Sequence, residues 1–326
     1  MLTSNQKKEY SEQGYVVIRN VIDLSLVQKC LTSYEIMRRK CENYEYLFYR
    51  KFSDIAINDI YGIEHIFHPE IFEENIFQSI MESQILEISQ ELLNDSEVFL
   101  SRNRLHCTKN ISHSGFWHRD GTPTGTSEDI DKYIKSNNNF HVQATLPYYK
   151  ESGFYIVPGS HLFKEDYIPT KEIMGTKKIL PNETKLTIYQ GDLVVFNPLI
   201  IHRGTCVGRK KKQRSHIHLR FTKASNSKFA ERYKMDSQFF KNNKVYNFAN
   251  ENWKKSFDLK LDDPVCWYGE EIVQKKFNFI NIKSIFKIGL IAYNKILYHF
   301  SRFLPISQRN LENFKLIKYP YLKDEK

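Results

Sequence analysis

Hydrophobic and polar positions along the chain follow a helical period up to about Glu97 and a period of two from there to about residue 229. In the first part, apolar residues recur every three or four positions, which is typical of helices that pack one face on a core. The predicted elements are a short helix ending near Gln13, a buried strand over 15–18, a helix over 23–39 and a helix over 75–93. The aromatic stretch 44–77 has no clear period and is predicted to be mostly loop and short helix.

The ends of the first two predicted helices carry residues that usually cap helices. Thr3 and Gln6 have the spacing of a capping box, in which each side chain bonds the backbone of the other residue. Gly14 stands where the first helix should end, because glycine readily adopts the left-handed conformation found there. Asp23 or Ser25 can cap the second helix.

After Glu97 the chain has the pattern of short strands separated by turns. Alternating apolar runs predict strands over 98–107, 140–149, 153–157, 185–189, 193–196 and 215–222. Pro158-Gly159 and the stretch around Gly191 are turn signals. Because no helices are interleaved, the pattern favours an antiparallel jelly roll over a parallel sheet with crossover helices. The predicted fold class is therefore mainly β with flanking helices.

Beyond about residue 229 the chain becomes aromatic, basic and helical in pattern, which divides it into a core domain over 1–229 and an extension over 230–326. Apolar residues recur at helical spacing over 282–303, and lysines and an arginine lie elsewhere around the same helix. Two interpretations stay open. The helix packs on its own protein, or residues 270–326 lie on an anionic membrane surface.

Composition narrows the classes of partner. The five cysteines are scattered, which argues against a disulfide framework or zinc ribbon and predicts a reducing, cytoplasmic location. No apolar run has the length of a signal peptide or of a membrane span. The net charge of +10 favours an anionic partner or surface. The basic run 209–214 is either a solvated hairpin tip or an anion-attracting rim, and no nucleic acid is expected since no binding module is recognised.

Candidate chemistry lies in the motif around His118 and Asp120. These two residues are two positions apart, so in extended backbone both side chains leave the same face. With a second imidazole from His202, they would form the two-histidine, one-carboxylate triad that holds Fe(II) and leaves coordination positions open. The triad alone is a weak signal in a chain with 11 histidines, and its weight comes from the sequence between Asp120 and His202.

From the N-terminus to about Thr222, the chain resembles the phytanoyl-CoA dioxygenase family of Fe(II)/2-oxoglutarate oxygenases. The motifs that carry the resemblance are Trp117 to Asp120, the segments 151–153 and 157–161, and residues 191–196 leading to His202. The resemblance implies a double-stranded β-helix, a cupin-like jelly roll, with His118, Asp120 and His202 as ligands of iron. It also implies that Fe(II), 2-oxoglutarate and O2 are used together and that succinate and CO2 are released.

In that family an arginine after the distal histidine binds the far carboxylate of 2-oxoglutarate. Arg214 matches this position best, and Arg220 is the alternative. A guanidinium suits the task because its planar fork meets a carboxylate through two charge-assisted hydrogen bonds. The family often has a serine just after the distal histidine, and Thr205 is the hydroxyl that could replace it here. Further predicted contacts are Arg104 and Thr108 for the cofactor, and His141 and Gln143 for the substrate.

Asp120 also bears on the reaction, because family members that halogenate have a small residue at this position. Its presence predicts hydroxylation of an unactivated C–H bond. The substrate is predicted to be a small or lipid-linked anion, and the oligomeric state is not predicted. Alternatives left open are a peripheral-membrane enzyme similar to Kdo hydroxylases, acting on a lipid-linked sugar, and a non-catalytic jelly-roll binding protein.

Overall fold

The fold is that of a computed structural model, which describes residues 1–42, 49–51, 60–64, 66–108, 113–114, 117–120, 141–149, 151–162, 178–206, 214–225, 240 and 243–259. The described helices are α1 (Ser4–Gln13), α2 (Leu24–Glu42), α3 (Glu74–Glu82), α4 (Ile85–Leu93), α5 (Asn243–Phe248) and α6 (Glu251–Asp258). The described strands are β1 (Tyr15–Ile18), β2 (Tyr49–Lys51), β3 (Ile60–Glu64), β4 (Val98–Thr108), β5 (His113–Ser114), β6 (His141–Pro147), β7 (Glu151–Val157), β8 (Thr184–Ile188), β9 (Leu193–Phe196), β10 (Ile201–Cys206) and β11 (Arg214–Lys223).

The strands form two antiparallel sheets. The large sheet has the order β1-β9-β6-β11-β4-β3-β2, and the small sheet has the order β5-β10-β7-β8. From β4 onward, consecutive strands alternate between the two sheets, except that β7 and β8 are neighbours in the small sheet. This antiparallel, sheet-rich architecture with flanking helices is consistent with the predicted jelly roll.

One face of the large sheet, which we call the outer face, is apolar and packs on the helices. Its buried residues belong to one hydrophobic cluster with α4 and α6, including Leu105, Val142, Ala144, Leu146, Ile217, Leu219 and Phe221. The ring of Phe221 lies 5.8 Å from that of Trp253 in α6. Ser256 in the same helix donates to the carbonyl of Val98 at 2.8 Å. Helix α6 therefore packs directly on the sheet.

The opposite face of the same strands, which we call the inner face, is polar on β4, β6 and β11. Because side chains alternate along a strand, the residues between the apolar ones point the other way. The inner face carries Arg102, Arg104, His106, His141, Gln143, His216, His218 and Arg220. A second apolar cluster, which includes Phe154, Ile156, Val194 and Phe196, lies between the two sheets.

The predicted caps of the first helices are confirmed. Thr3 and Gln6 form both bonds of a capping box, and Gly14 ends α1 in a left-handed conformation with φ 82°. Asp23 accepts from the backbone N–H of Ser25 at 2.8 Å at the start of α2. A Cβ atom at Gly14 would also lie 2.5 Å from the ring of His161. Glycine is therefore required at this position by the backbone conformation and by the lack of space for a side chain.

The single helix predicted over 75–93 is wrong, because the structure has two helices that meet at Gln84. Gln84 adopts a left-handed conformation with φ 54° and ψ 25°. The apolar positions Ile80 and Ile85 are five residues apart, which in a continuous helix would turn their faces away from each other by ~140°. The break at Gln84 brings both apolar faces onto the same core.

Strand pairing corrects one further prediction and adds a strand. The stretch 44–77 was expected to be mostly loop and short helix, but β2 and β3 extend the large sheet through the pairing of β3 with β4. Residues 201–206, over which no strand was predicted, form β10 between β5 and β7. The predicted helix over 282–303 and the basic run 209–213 lie outside the described residues. Within the described ranges, no helix is long and apolar enough to cross a membrane, and Cys30 and Cys41 are free, buried thiols.

Candidate metal site

Backbone pairing brings the two predicted histidine ligands together. The N–H of His118 donates to the carbonyl of His202, and the N–H of His202 donates to that of His118, each at 3.0 Å. Two residues on, the N–H of Asp120 donates to the carbonyl of Pro198 at 2.8 Å. The His-x-Asp segment is thus held as a short strand along the start of β10, and its alternation places His118 and Asp120 on the same side.

The side chains of these three residues form a group that could hold a metal ion. One ligand atom from each lies within 4.8 Å of the others. The Nε2 atom of His118 is 3.6 Å from one oxygen of Asp120, and that of His202 is 3.5 Å from the other. Two imidazole nitrogens and one carboxylate on one side of a pocket are the donor set of non-haem iron sites. The predicted triad is therefore assembled in the fold.

A hydrogen bond of its Nδ1 atom fixes the orientation of the His202 ring. Its Nδ1 atom lies 3.0 Å from the carbonyl oxygen of Ile200, an acceptor that requires Nδ1 to carry the proton. The Nε2 atom, which faces Asp120, is therefore the nitrogen left for a metal ion. Such a bond from the second ring nitrogen is the usual way in which proteins set the tautomer of a metal-binding histidine.

Solvent reaches the three ligands unequally. The side chain of His202 is 6% exposed, that of Asp120 is 28% exposed and that of His118 is 40% exposed. The rings of Phe154 and Phe196 lie 5.7 Å and 5.2 Å from the ring of His202 and cover it. The site is therefore open on the side of His118 and closed by aromatic rings on the side of His202.

The carboxyl group of Asp120 is held in its ionised form. Burial alone would raise its pKa, and this is the largest single influence. The hydrogen bond with His202 and the positive charges that His118, His202 and His218 can carry act in the opposite direction, and together they bring the pKa well below its usual range. A carboxylate that stays ionised near neutral pH is a suitable ligand for a divalent cation.

Arg119, between the two ligands of the His-x-Asp segment, ties that segment to its surroundings. Its guanidinium is buried and donates to the carbonyl of Ser160 at 2.8 Å and to the carbonyl of Leu199. The hydroxyl of Ser160 in turn accepts from the N–H of Ile201 at 2.8 Å. One side chain thus connects the segment that carries His118 and Asp120 to the turn that leads into His202.

A second arginine performs a similar task on the outside of the small sheet. Arg203 is buried between two aromatic rings, 4.3 Å from the centre of Trp117 and 5.0 Å from that of Tyr155. Its Nη2 atom also donates to the carboxylate of Glu183 at 3.3 Å. Trp117 precedes His118 and Arg203 follows His202, so this cation–π stack holds the two ligand-bearing segments together.

Two histidines of the inner face lie close to the triad and are kept neutral. Burial is the main cause that lowers the pKa of His141, and the charge of Arg220 adds to it, while Asp120 acts in the opposite direction. Burial also lowers the pKa of His218, with Arg102 contributing and Asp120 opposing. His141 was predicted to face the pocket. His218, Arg102 and Arg119 were not singled out in the sequence, because only the register of β4, β6 and β11 and the contacts of the turn reveal them.

The remaining predicted residues are placed as follows. Arg104 is buried on the inner face opposite His218, and Gln143 is buried opposite Arg220. Arg214 and Thr108 oppose each other where β11 begins and β4 ends. Thr205 lies in β10 opposite Ser114 of β5. The side chains of Arg214, Thr108 and Thr205 are outside the described part of the structure, so their roles stay predictions.

Sequence comparisons identify no relative. No protein-family model matches the chain, and no characterised protein matches it in sequence.

Solved structures, by contrast, share its fold. EctD from S. alaskensis, with 2-oxoglutarate and 5-hydroxyectoine, is 14% identical with a TM-score of 0.51 over 69% of this chain and 77% of that one. AviO1 from Streptomyces viridochromogenes Tue57 is 13% identical with a TM-score of 0.51 over 68% of this chain and 96% of that one. SnoK, a non-haem α-ketoglutarate-dependent carbocyclase from nogalamycin biosynthesis, is 15% identical with a TM-score of 0.50 over 68% of this chain and 85% of that one.

These similarities define the fold class of the chain. Its architecture is that of structures such as SnoK and EctD, and its His-Asp-His group could hold iron. At identities of 13% to 15%, these similarities show a shared fold.

Proposed function

We propose that the chain is an Fe(II)/2-oxoglutarate-dependent dioxygenase of the phytanoyl-CoA dioxygenase type, built on a double-stranded β-helix, that hydroxylates an unactivated C–H bond. The observation that carries the proposal is the convergence of His118, Asp120 and His202, with ligand atoms within 4.8 Å of one another, on a fold shared with iron/2-oxoglutarate enzymes. Each ligand comes with a structural support of its own, which a chance cluster of polar residues would not require.

The residues of the chain have distinct tasks in this proposal. His118, Asp120 and His202 would hold the iron and leave room for 2-oxoglutarate beside it. The bound iron, 2-oxoglutarate and O2 supply the oxidant, with succinate and CO2 as products. Phe154 and Phe196 keep water from the buried side of His202. The neutral imidazoles of His141 and His218 offer uncharged hydrogen-bonding groups beside the site.

For 2-oxoglutarate we propose Arg214 as the partner of the far carboxylate, with Arg220 as the alternative. Both stand on β11, the strand that follows the distal ligand, where the resemblance expects the arginine. Thr205, Arg104 and Thr108 remain proposed contributors to cofactor binding. Substituting Arg214 or Arg220 and measuring the affinity for 2-oxoglutarate decides between the two.

Hydroxylation is proposed over halogenation because Asp120 occupies a ligand position. Proteins of this fold also include a carbocyclase, SnoK, so the product formed by this chain has to be identified and cannot be inferred from succinate alone. The proposed substrate is a small or lipid-linked anion in a cytoplasmic setting. A Kdo-hydroxylase-like enzyme at a membrane surface is the alternative, and loss of binding to anionic vesicles on removal of residues 270–326 is the result that would support it.

The test is turnover of 2-oxoglutarate. Reconstituted with Fe(II) and supplied with candidate substrates and O2, the protein should form succinate from 2-oxoglutarate in equal amount to oxidised substrate. His118→Ala and Asp120→Ala should each abolish this turnover while leaving circular dichroism unchanged. His68→Ala is the matched control, because His68 lies outside the site and its Nδ1 atom accepts from the N–H of Glu70. Full activity in both ligand variants would contradict the proposal.

The remaining alternative, a non-catalytic jelly-roll binding protein, makes the opposite prediction. After anaerobic reconstitution it would retain neither iron nor another divalent ion, although the protein is folded. Metal analysis therefore separates the two functions before any substrate is known.

A further inference from the structure

The connection between β7 and β8 returns to the small sheet beside the metal site. Its last part, residues 178–183, which we call the strap, leads into Thr184 at the start of β8. Thr184 lies opposite Ile156 of β7, and Ile156 lies opposite His202 of β10. The strap therefore enters the sheet at the end that carries His202.

The strap is a tight turn that is closed by its own glutamate. The N–H of Glu183 donates to the carbonyl of Leu180 at 3.2 Å, and the N–H of Leu180 donates to the Oε2 atom of Glu183 at 2.9 Å. Pro181 and Asn182 occupy the two central positions of the turn, and Asn182 has a left-handed φ of 60° that asparagine tolerates. The carboxylate of Glu183 is thereby fixed in position.

The strap packs on Trp117, the residue before His118. The indole N–H of Trp117 donates to the carbonyl of Lys178 at 2.8 Å. Leu180 packs on a small apolar cluster that contains Trp117 and Ile201. Trp117 is fully buried in this arrangement. The strap thus covers the back of the segment that carries two of the three predicted ligands.

Glu183 joins the strap to the other ligand-bearing segment through Arg203, the residue after His202. The carboxylate that closes the strap also accepts from the Nη2 atom of Arg203 at 3.3 Å, and the exposed fraction of the side chain is 15% for Glu183 and 9% for Arg203. The guanidinium of Arg203 lies 4.3 Å from the ring centre of Trp117. Because solvent hardly reaches this pair, the attraction between its two charges is weakly screened, and the carboxylate fixes where the guanidinium lies. One carboxylate therefore holds the strap, Arg203 and Trp117 in a single arrangement.

We propose that Glu183 is a positioning residue for the metal site. Through Arg203 and Trp117 it sets the spacing of the two histidine ligands, because each of these histidines is the chain neighbour of one residue of the stack. The inference rests on the proposed function and deepens it, because metal binding then depends on a segment outside the ligand motif. By linkage, the metal stabilises the docked strap to the same degree as the docked strap strengthens metal binding.

The experiment compares Glu183→Gln with a matched control in the full-length protein. Glu73→Gln is the control, since the side chain of Glu73 is 14% exposed and pairs with Lys40 at 2.6 Å in the helical layer. Both variants lose an ion pair of similar burial, so the two metal-free proteins should lose similar stability in urea. Only Glu183→Gln should bind Fe(II) less tightly in anaerobic competition with a chelator, by about tenfold, the lower end of the usual range for residues that support metal ligands.

Arg203→Lys tests the path from Glu183 to the ligands. Lysine keeps the positive charge but has no planar group to stack on Trp117, so this variant should lose about as much Fe(II) affinity as Glu183→Gln. Because both residues act along one path, the double variant should lose clearly less affinity than the product of the two single losses. Multiplicative losses would show that Glu183 does not act through Arg203 and would overturn the inference.

Hydrogen exchange measures the reciprocal effect and needs only the wild-type protein. Bound Fe(II) should slow the exchange of the backbone amides of Leu180 and Glu183, because it stabilises the docked strap. An unchanged exchange rate on addition of Fe(II), wild-type Fe(II) affinity in Glu183→Gln, or an equal loss of affinity in Glu73→Gln would overturn the inference and leave the proposed function intact. A wild-type protein that binds no Fe(II) would overturn the proposed function, and the inference with it.

Discussion

The two faces of the large sheet are made from the same strands and differ in nearly everything else. On the outer face, Ile217, Leu219 and Phe221 are buried against helices as part of one apolar cluster. On the inner face, the residues between them are His216, His218 and Arg220. Burial distinguishes the faces only in part, since His216 is nearly as inaccessible to solvent as Ile217 and Leu219, whereas His218 and Arg220 are partly exposed.

The two faces differ in the polarity of their buried side chains. The outer face largely follows the rule that buried positions are apolar, with Asn103 and Ser215 as exceptions, and it contributes to stability. The inner face breaks this rule on three adjacent strands, and such breaks are expected where a site requires polar groups at the expense of stability. We therefore expect substitutions on the outer face to change folding and substitutions on the inner face to change binding.

The largest expected difference is in the free energy of unfolding. Phe221→Ala should lower it by about 3–5 kcal/mol, because it leaves a cavity between the sheet and Trp253 of α6. His218→Ala, three residues earlier on the other face, should lower it by about 1 kcal/mol or less. Urea denaturation of the metal-free proteins measures both values. Equal losses in the two variants would remove the distinction between the faces.

A smaller effect, on metal affinity and not on folding, is expected at Arg119. Its bonds to the carbonyls of Ser160 and Leu199 position both ligand-bearing segments. Arg119→Gln should weaken Fe(II) binding by about 10–100-fold, as is typical when a residue that supports metal ligands is changed. Anaerobic competition with a chelator gives the affinity, and Arg38→Gln is the control. Wild-type affinity in Arg119→Gln would show that the backbone pairing of His118 and His202 is sufficient.

A third expected effect is a loss of stability at low pH. His161, which follows β7, is buried, and burial lowers its pKa to about 4 from the ordinary 6.5. Below pH 6.5, His161 becomes protonated in the unfolded chain but stays neutral in the folded chain. The stability contributed by neutral His161 is therefore present above pH 6.5 and is lost as the pH falls towards 4. His141 and His218 act in the same direction.

For each such histidine, the free energy of unfolding should therefore decrease by up to ~1.4 kcal/mol for every unit by which the pH is lowered. Urea titrations of the metal-free protein at pH 7, 6 and 5 would measure the slope. His161→Gln should make it shallower, and a variant with the slope of the wild type would contradict this assignment.

The sequence predicts the parts of the fold that depend on local chemistry. Thr3, Gln6 and Gly14 identify α1 because capping is decided by neighbouring residues, and strands β4, β6, β9 and β11 of the large sheet follow from the pattern of apolar residues. The break at Gln84 and the strand β10 depend on packing and pairing with distant segments, which a local pattern does not contain. The three residues of the candidate metal site were predicted together because a motif connects them. His218, Arg102 and Arg119 were missed because their importance comes from strand register and from a turn 80 residues away.

The position of the bound metal tests the account most directly. Crystals of the protein reconstituted anaerobically with Fe(II) should show one anomalous difference peak at the iron edge, bonded to the Nε2 atoms of His118 and His202 and to the carboxylate of Asp120. The same experiment on His202→Ala should show no peak there. Stoichiometric iron located elsewhere in the wild-type protein, or an unchanged peak in the variant, would contradict the account.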